Sequence, residues 1–554
     1  MLLLFLPLLL ATSAHAWSGW GGGPLNNRWA QSNTFVSSTS ISNLGPHCNL
    51  TDAVGVSATP VISGDIAYYP TWSGTFVAAN ILTCAPLWEA NISSILPASA
   101  FASPSQGGSA ITPRPLSRTS PQISGDVLFL GTQLGAFVLA LNRTTGKLLA
   151  FQQVHSHPLA IITQSPTFDA TSGLLFVGVS SMEHVAVTNP SYGPCCSFYG
   201  TFSALSYDAS SQTFSQKWVV PTIPAERLRE GWAGAAIWGS QPSILNGMVF
   251  IGTGNTYSVP SATVSCQKQH GAVPFGGANE DGQDPCLPGD ILQDSVVAVD
   301  IATGKVKWKR QFGGIDAFSI ACGYPGMSGP AWGAVNTTVC PQVPGPDADF
   351  GMAPAVVRVV GGKDRLVLGR KNGMVYCVDA EDGTLLWKTA AAPPGVGGGV
   401  SWGVAADAER VYYGSINTGY LSWEIGGIAA GSNKTKVDRG FYGALSVKDG
   451  SVVWQTAVPK NGIVMAPPTV VGDVVLVART GQDPEGTSSY DMSQGGLVVL
   501  HAVTGRVLRD QELPTNMHSG VAVRDNYLLF GTGYSGSLGP GGRPVSGGFN
   551  VFKV

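Results

Sequence analysis

SVVAVDIATGKVKWKRQ at 295–311, MVYCVDAEDGTLLWKT at 374–389 and YGALSVKDGSVVWQT at 442–456 are three copies of one phrase. Each reads as an apolar strand, a turn with Asp or Thr before Gly, and a second strand carrying Trp. Alternating apolar and polar residues mark the strands, and the D-G and T-G steps fit tight hairpin turns. Fainter copies lie at 137–152, 202–218 and 497–511, and the most degraded is FVAANILTCAPLWEA at 76–90. A second hairpin phrase precedes each copy, as in TPVISGDIAYYP (59–70), SPQISGDVLFLGT (120–132), QPSILNGMVFIGT (241–253) and APPTVVGDVVLVA (466–478). Two hairpins make a four-stranded antiparallel unit. Recurring units of this kind read as propeller blades, which bury their faces only by stacking around an axis.

Seven such units are complete. The eighth, SGVAVRDNYLLFGTG followed by GGFNVFKV, stops one strand short at Val554. The segment Trp17 to Ala30 is expected to supply that strand, closing the ring between the chain ends and hiding two exposed edges. The expected fold is thus all-β, an eight-bladed β-propeller forming a single domain over 17–554.

Working outward, residues 1–16 read MLLLFLPLLLATSAHA, an apolar core at Leu2 to Leu10 and an A-x-A site before Trp17. That pattern is a secretory signal peptide, too short to span a bilayer. No later stretch is long enough to span one either, so the mature protein is expected to be secreted. The chain has 72 Gly and only 12% charged residues, which suits strands joined by tight turns. Net charge is −3 with no Lys/Arg run, which argues against a nucleic-acid partner.

In an oxidising compartment the nine cysteines should mostly pair. Neighbour pairing gives Cys48–Cys84, Cys266–Cys286 and Cys322–Cys340. Cys195 and Cys196 are adjacent and either bond to each other or go elsewhere. Cys377, in the apolar run MVYCVD, reads as a buried free thiol. Sequons at Asn49, Asn91, Asn142, Asn336 and Asn433 agree with secretion and glycosylation. No C-x-x-C pair supports a zinc site, and no C-x-x-C-H supports a haem.

The Gly-rich repeats resemble those of the quinoprotein alcohol dehydrogenases. GGGPLNNRWA (21–30), HPLAIITQSP (157–166), GPCCSFYGT (193–201), AGAAIWGSQPS (233–243), DPCLPGD (284–290), DADFGMAP (347–354) and RKNGMVYCVD (370–379) are similar to the polyvinyl-alcohol-dehydrogenase-like branch. The resemblance implies pyrroloquinoline quinone (PQQ) at the propeller axis with a divalent metal, usually Ca²⁺. It implies hydride transfer from an alcohol, secondary or polymeric, with electrons leaving to a separate acceptor. Such chemistry needs a base for the hydroxyl proton and flat surfaces that hold a planar cofactor.

Carried onto this chain, the resemblance makes Trp238 the floor under PQQ, Asn255 a metal ligand, and Lys371 a cation against the quinone oxygens. It makes Asp349 the base and a metal ligand, with Asp347 two residues away and Asp316, at the start of the same long loop, as the rival base. Arg118 and Trp402 recur at blade starts facing the axis, where Arg118 suits a cofactor carboxylate. Methanol-type relatives place a bonded pair of neighbouring cysteines over PQQ as a lid. Here Cys195–Cys196 falls where those relatives carry a metal-binding Glu. That leaves a two-residue protein metal shell or a replacement carboxylate, for which Glu183 is the candidate. Apart from Cys377 no unpaired cysteine remains, so Cys195 and Cys196 are expected to bond to each other. His155 and His157 read as structural or rim residues. The alternative function is a propeller without PQQ, serving as a scaffold or running non-redox chemistry in the same pocket.

Overall fold

The computed structural model describes residues 17–97, 115–189, 192, 195–271, 284–323, 338–395, 397–427, 434–487, 490–534 and 546–554. The leader at 1–16 and the sequons at Asn336 and Asn433 lie outside the described residues. Among the described residues, no helix is long and apolar enough to cross a membrane.

Eight four-stranded antiparallel sheets form the blades of a β-propeller. The first is Val61–Ser63, Ile66–Pro70, Thr75–Asn80 and Pro86–Asn91, ordered from the axis outward. The seventh ends with Val507–Leu513. Middle strands are buried on both faces between neighbouring blades; Met374–Asp379 is buried at every position. They therefore read as continuous apolar runs.

The Trp and Gly of the repeat meet across blade boundaries. Trp88, in the outer strand of blade one, lies against Gly146 of blade two and donates its indole N–H to the Arg143 carbonyl at 3.0 Å. Trp218 does the same at Gly304 and Ile301, Trp387 at Gly450 and Val447, and Trp454 at Gly505 and Ala502. A Cβ at any of these glycines would stand 2.4–2.6 Å from the indole. Each glycine also holds a φ of about +70°, which disfavours a side chain. The T-G and D-G steps thus serve both the hairpin and the docking of the preceding blade.

The eighth blade is Ala522–Arg524, Tyr527–Thr532 and Gly547–Lys553, completed by Gly45–Asp52. Gly45–Asp52 pairs antiparallel with Gly547–Lys553, so the ring closes between N-terminal and C-terminal strands. The closing strand is not the expected Trp17 to Ala30. That segment turns too often to lie along an edge: Gly22, Asn26 and Arg28 all take positive φ. Gly45–Asp52 stays extended, and the Cys48–Cys84 disulfide ties it to a turn of blade one.

Trp17–Ala30 instead crosses the axis. The carbonyls of Trp17, Ser18, Pro24, Leu25, Asn27 and Arg28 accept the backbone N–H groups of Ile62, Ile123, Ile244, Val356, Ala406 and Val470. These six donors sit on the innermost strands of blades one, two, four, five, six and seven. An innermost strand has no neighbour on its axial side, so these donors would otherwise be buried without partners.

Because strands alternate in direction, the start of each first strand and the end of each second strand share one face. The long loops 179–200, 253–294, 416–440 and 480–494 and the connection 312–354 all leave from that face.

Candidate active site

On that face every blade contributes the residues just ahead of its innermost strand. Ala58, Arg118, Ser165, Ser240, Gly351, Trp402, Pro467 and Gly520, one per blade, line an axial pocket with Trp20, Trp238, His518 and Tyr534.

Blades four and five build a charged cluster that meets the pocket at Trp238; Asp349, Lys371 and Asn255 are not among the residues that line it. Trp238 precedes the first strand of blade four and Asn255 follows its second; Asp349 and Lys371 bracket the same hairpin of blade five. Neighbouring blades therefore bring the four together. Lys371 Nζ lies 2.9 Å from Asp349 Oδ2 and 2.9 Å from Asp347 Oδ1. It also stands 5.3 Å from the centroid of the Trp238 ring. Trp238 Nε1 donates to Asp349 Oδ2 at 3.2 Å, and the Asn255 backbone N–H donates to Asp349 Oδ1 at 2.6 Å. Glycine permits this approach, since a Cβ on Gly254 would stand 2.7 Å from Asp349 Oδ1.

The two aspartates are shifted in opposite directions. Burial raises both, but Lys371 and the Asn255 amide outweigh it at Asp349 and hold its carboxyl below the usual range. At Asp347 burial prevails, with Asp349 and Asp316 adding like charge, and its carboxyl is pushed well up. Burial pulls against the Lys371 ammonium, yet Asp347 and Asp349 hold it charged well above the usual lysine range.

Asp316 does not join them. Its carboxylate accepts the backbone N–H groups of Asp347 and Ala348, and it is fully buried beneath the turn it holds. Burial, with the Asp349 charge adding, pushes it up to about 6 despite those amides. As a rival base it is therefore misplaced: it shapes the turn that presents Asp347 and Asp349.

Glu183 is also committed to backbone. Its carboxylate accepts N–H groups from Ser197 and Phe198 and the Tyr192 hydroxyl, and His157 Nε2 stands 3.6 Å away. Burial opposes its charge, but His157 and the two amides hold its carboxyl below the usual range. It anchors the segment after Cys195 and Cys196, which are bonded to each other. Cys196 and Trp238 both pack against one apolar cluster.

Ser197, His157 and Glu183 look like a hydrolytic triad in composition only. His157 Nδ1 accepts the Leu159 N–H at 3.2 Å, so Nε2 carries the proton and faces Ser197 Oγ at 3.1 Å. An imidazole in that tautomer does not take a serine proton.

The carboxylates expected to ligate calcium already accept protein donors: three N–H groups on Asp349, and the Ser197 and Phe198 amides with the Tyr192 hydroxyl on Glu183. Asn255 donates its side-chain NH₂ to the carbonyls of Thr256 and Phe318, while its Oδ1 takes no donor among the described residues. A hard cation needs several open oxygen ligands. As arranged, the two carboxylates offer few, so the residues do not form a ready metal cage.

A planar polyanionic quinone fits better. Trp402 meets Trp238 edge to face at 6.0 Å, giving flat apolar walls. Arg118 lines the same pocket. His518 stacks on Tyr534 at 4.3 Å, and its buried Nε2 has no partner among the described residues. An orphaned imidazole N–H beside a guanidinium suits a carboxylate ligand. Sequence reasoning missed His518, Tyr534 and Trp20. His518 stands at the recurring place ahead of an innermost strand, which is a usable signal; Trp20 carries none.

The fold is an eight-bladed propeller. The PQQ_2 family model, described as outer membrane protein assembly factor BamB, matches residues 292–532. A polyvinylalcohol dehydrogenase of Pseudomonas sp is 28% identical over 467 residues, 82% of this chain and 61% of that protein. That of Sphingopyxis sp. (strain 113P3) is 28% identical over 357 residues, 61% of this chain and 46% of its own. The chain therefore spans less than two thirds of the length of these relatives. Among solved structures, a europium-containing methanol dehydrogenase superposes with a TM-score of 0.65 at 15% identity, covering 98% of this chain and 99% of that one. The quinohemoprotein alcohol dehydrogenase from Comamonas testosteroni gives 0.61 at 17% identity, covering 97% and 80%. The chain is a relative of the polyvinyl alcohol dehydrogenases on the propeller fold of the quinoprotein alcohol dehydrogenases.

Proposed function

We propose that this protein is a secreted PQQ-dependent alcohol dehydrogenase in which residues 17–554 act as one domain. The carrying observation is the cluster of Trp238, Asp349 and Lys371 beside the axial pocket. PQQ, when bound, supplies the two-electron acceptor that takes hydride from the alcohol carbon. Asp349, ionised across neutral pH, takes the hydroxyl proton as the carbonyl forms. Lys371 stays charged and stabilises negative charge on the oxygens it faces. Trp238, with Trp402 at its edge, gives the planar ring its apolar surface, and the bonded Cys195–Cys196 covers that region. Arg118 and His518 receive carboxylates. Electrons leave to a separate acceptor, and the substrate is a secondary or polymeric alcohol.

The test is binding of PQQ to the purified protein by absorbance titration, followed by dye-linked oxidation of secondary alcohols. Saturable binding and alcohol-dependent dye reduction support the reading; no binding with an intact fold sinks it. The protein donors already on Asp349 and Glu183 favour a second reading, a scaffold propeller without cofactor. The absence of PQQ binding would leave that reading standing.

A further inference from the structure

The N-terminal segment was expected on the outer rim and lies at the centre instead. Its backbone bonds bind it to six innermost strands. Its side chains go further. Arg28 is fully buried, and its guanidinium donates to the carbonyls of Pro468 and Trp20, to Thr59 and Thr469 hydroxyls, and to the Val521 carbonyl. Apart from Trp20, those partners belong to blades seven, one and eight, the blades at the seam where the ring closes. No carboxylate is among them, so the guanidinium is held by neutral acceptors and by the Trp20 ring, 4.6 Å from its centroid. Glycines make the room: a Cβ on Gly520 would stand 2.2 Å from Arg28 Nη2, and one on Gly403 would stand 2.5 Å from the Trp20 ring.

Trp20 in turn lines the axial pocket with Trp238 and Trp402. It is the one lining residue that no blade supplies. We propose that Trp17–Ala30 is part of the ligand site: Trp20 closes the strand-side end of the axial pocket, and Arg28 is the positioning residue that locks it there. The ligand in question is the planar quinone, so this inference rests on the proposed function. A pocket so built is complete only once the N-terminal segment has threaded the finished ring, which couples ligand affinity to the state of the chain's first residues.

The experiment compares full-length mature wild type, Trp20→Ala, Trp20→Phe and Arg28→Met. PQQ titration followed by fluorescence reads affinity, and hydrogen exchange reads the innermost-strand amides. Trp20→Ala should weaken PQQ binding at least about tenfold while melting cooperatively, and Trp20→Phe should recover most of the loss. Arg28→Met should speed exchange at Ile62, Ile123, Ile244, Val356, Ala406 and Val470 at least about tenfold while second-strand amides stay protected. Unchanged PQQ affinity in Trp20→Ala overturns the place of Trp20 at the end of the pocket. Unchanged exchange in Arg28→Met overturns the lock. If wild type itself binds no PQQ, the proposed function fails, and the exchange comparison still decides whether Arg28 locks the segment.

Discussion

Lys371 Nζ and Asp349 Oδ2 meet at 2.9 Å with both side chains nearly buried. A buried pair is costly to break because the survivor keeps its charge without a partner. Lys371→Met should therefore lower stability by about 3–5 kcal/mol at pH 7, read by urea unfolding. Adding Asp349→Asn to that variant should recover part of the loss. A Lys371→Met protein as stable as the parent would show that the pair is solvated.

Asp349→Asn alone keeps one oxygen, for either the Asn255 amide on Oδ1 or the Trp238 and Lys371 donors on Oδ2, and removes the proton acceptor. Dye-linked alcohol oxidation should fall about a hundredfold or more, with PQQ affinity within about threefold of wild type. Loss of affinity with turnover retained would move Asp349 from base to binding group.

Calcium should do little. A cation binding the folded state at a hundred times its dissociation constant would add about 2.7 kcal/mol of stability. With Asp349 and Glu183 engaged by N–H donors, the PQQ-free protein should melt at the same temperature in calcium as in chelator. A calcium-dependent rise would show that those carboxylates open.

Two buried histidines, His155 and His518, and the half-buried His184 set an acid limit. Burial, aided by His157 and Lys371 respectively, pulls His155 and His184 down to about 4; burial and Arg118 pull His518 to about 3. An unfolded histidine titrates near 6.5. Between about pH 6.5 and 4 the unfolded chain therefore binds protons that the folded one does not, and stability falls as pH drops. Each group contributes about 1.4 kcal/mol per pH unit in that window. His518→Asn should flatten the slope of unfolding free energy against pH; an unchanged slope would show that His518 already titrates in the fold.

The seam of the ring hangs on Cys48–Cys84, which closes a sequence separation of 36 residues. Replacing both by Ser should cost about 3–4 kcal/mol and expose the last blade first to hydrogen exchange. Peptide mapping without reduction should also find Cys195–Cys196, Cys266–Cys286 and Cys322–Cys340, with Cys377 reactive only after unfolding. Exchange spread evenly over all blades would remove the disulfide as the seam's anchor.

The repeats were legible because each encodes its own hairpins and its own contact with the next blade. A Trp that docks on the Gly of the following turn leaves the same spacing in the copies that keep it, so blade number follows from sequence. The meeting of Trp238, Asn255, Asp349 and Lys371 was legible for the same reason, since equivalent ends of neighbouring blades converge on the axis. What only tertiary structure decided lies between groups that no repeat relates. Gly45–Asp52 won the closing edge because it stays extended beside Gly547–Lys553, while Trp17–Ala30 fills a channel whose unpaired amides exist only once the ring has formed. Asp316 and Glu183 resemble Asp349 in type and setting along the chain. Only the folded backbone shows that their lone pairs are taken by amides of the turns they hold, while the lone pairs of Asp349 face Lys371 and Trp238.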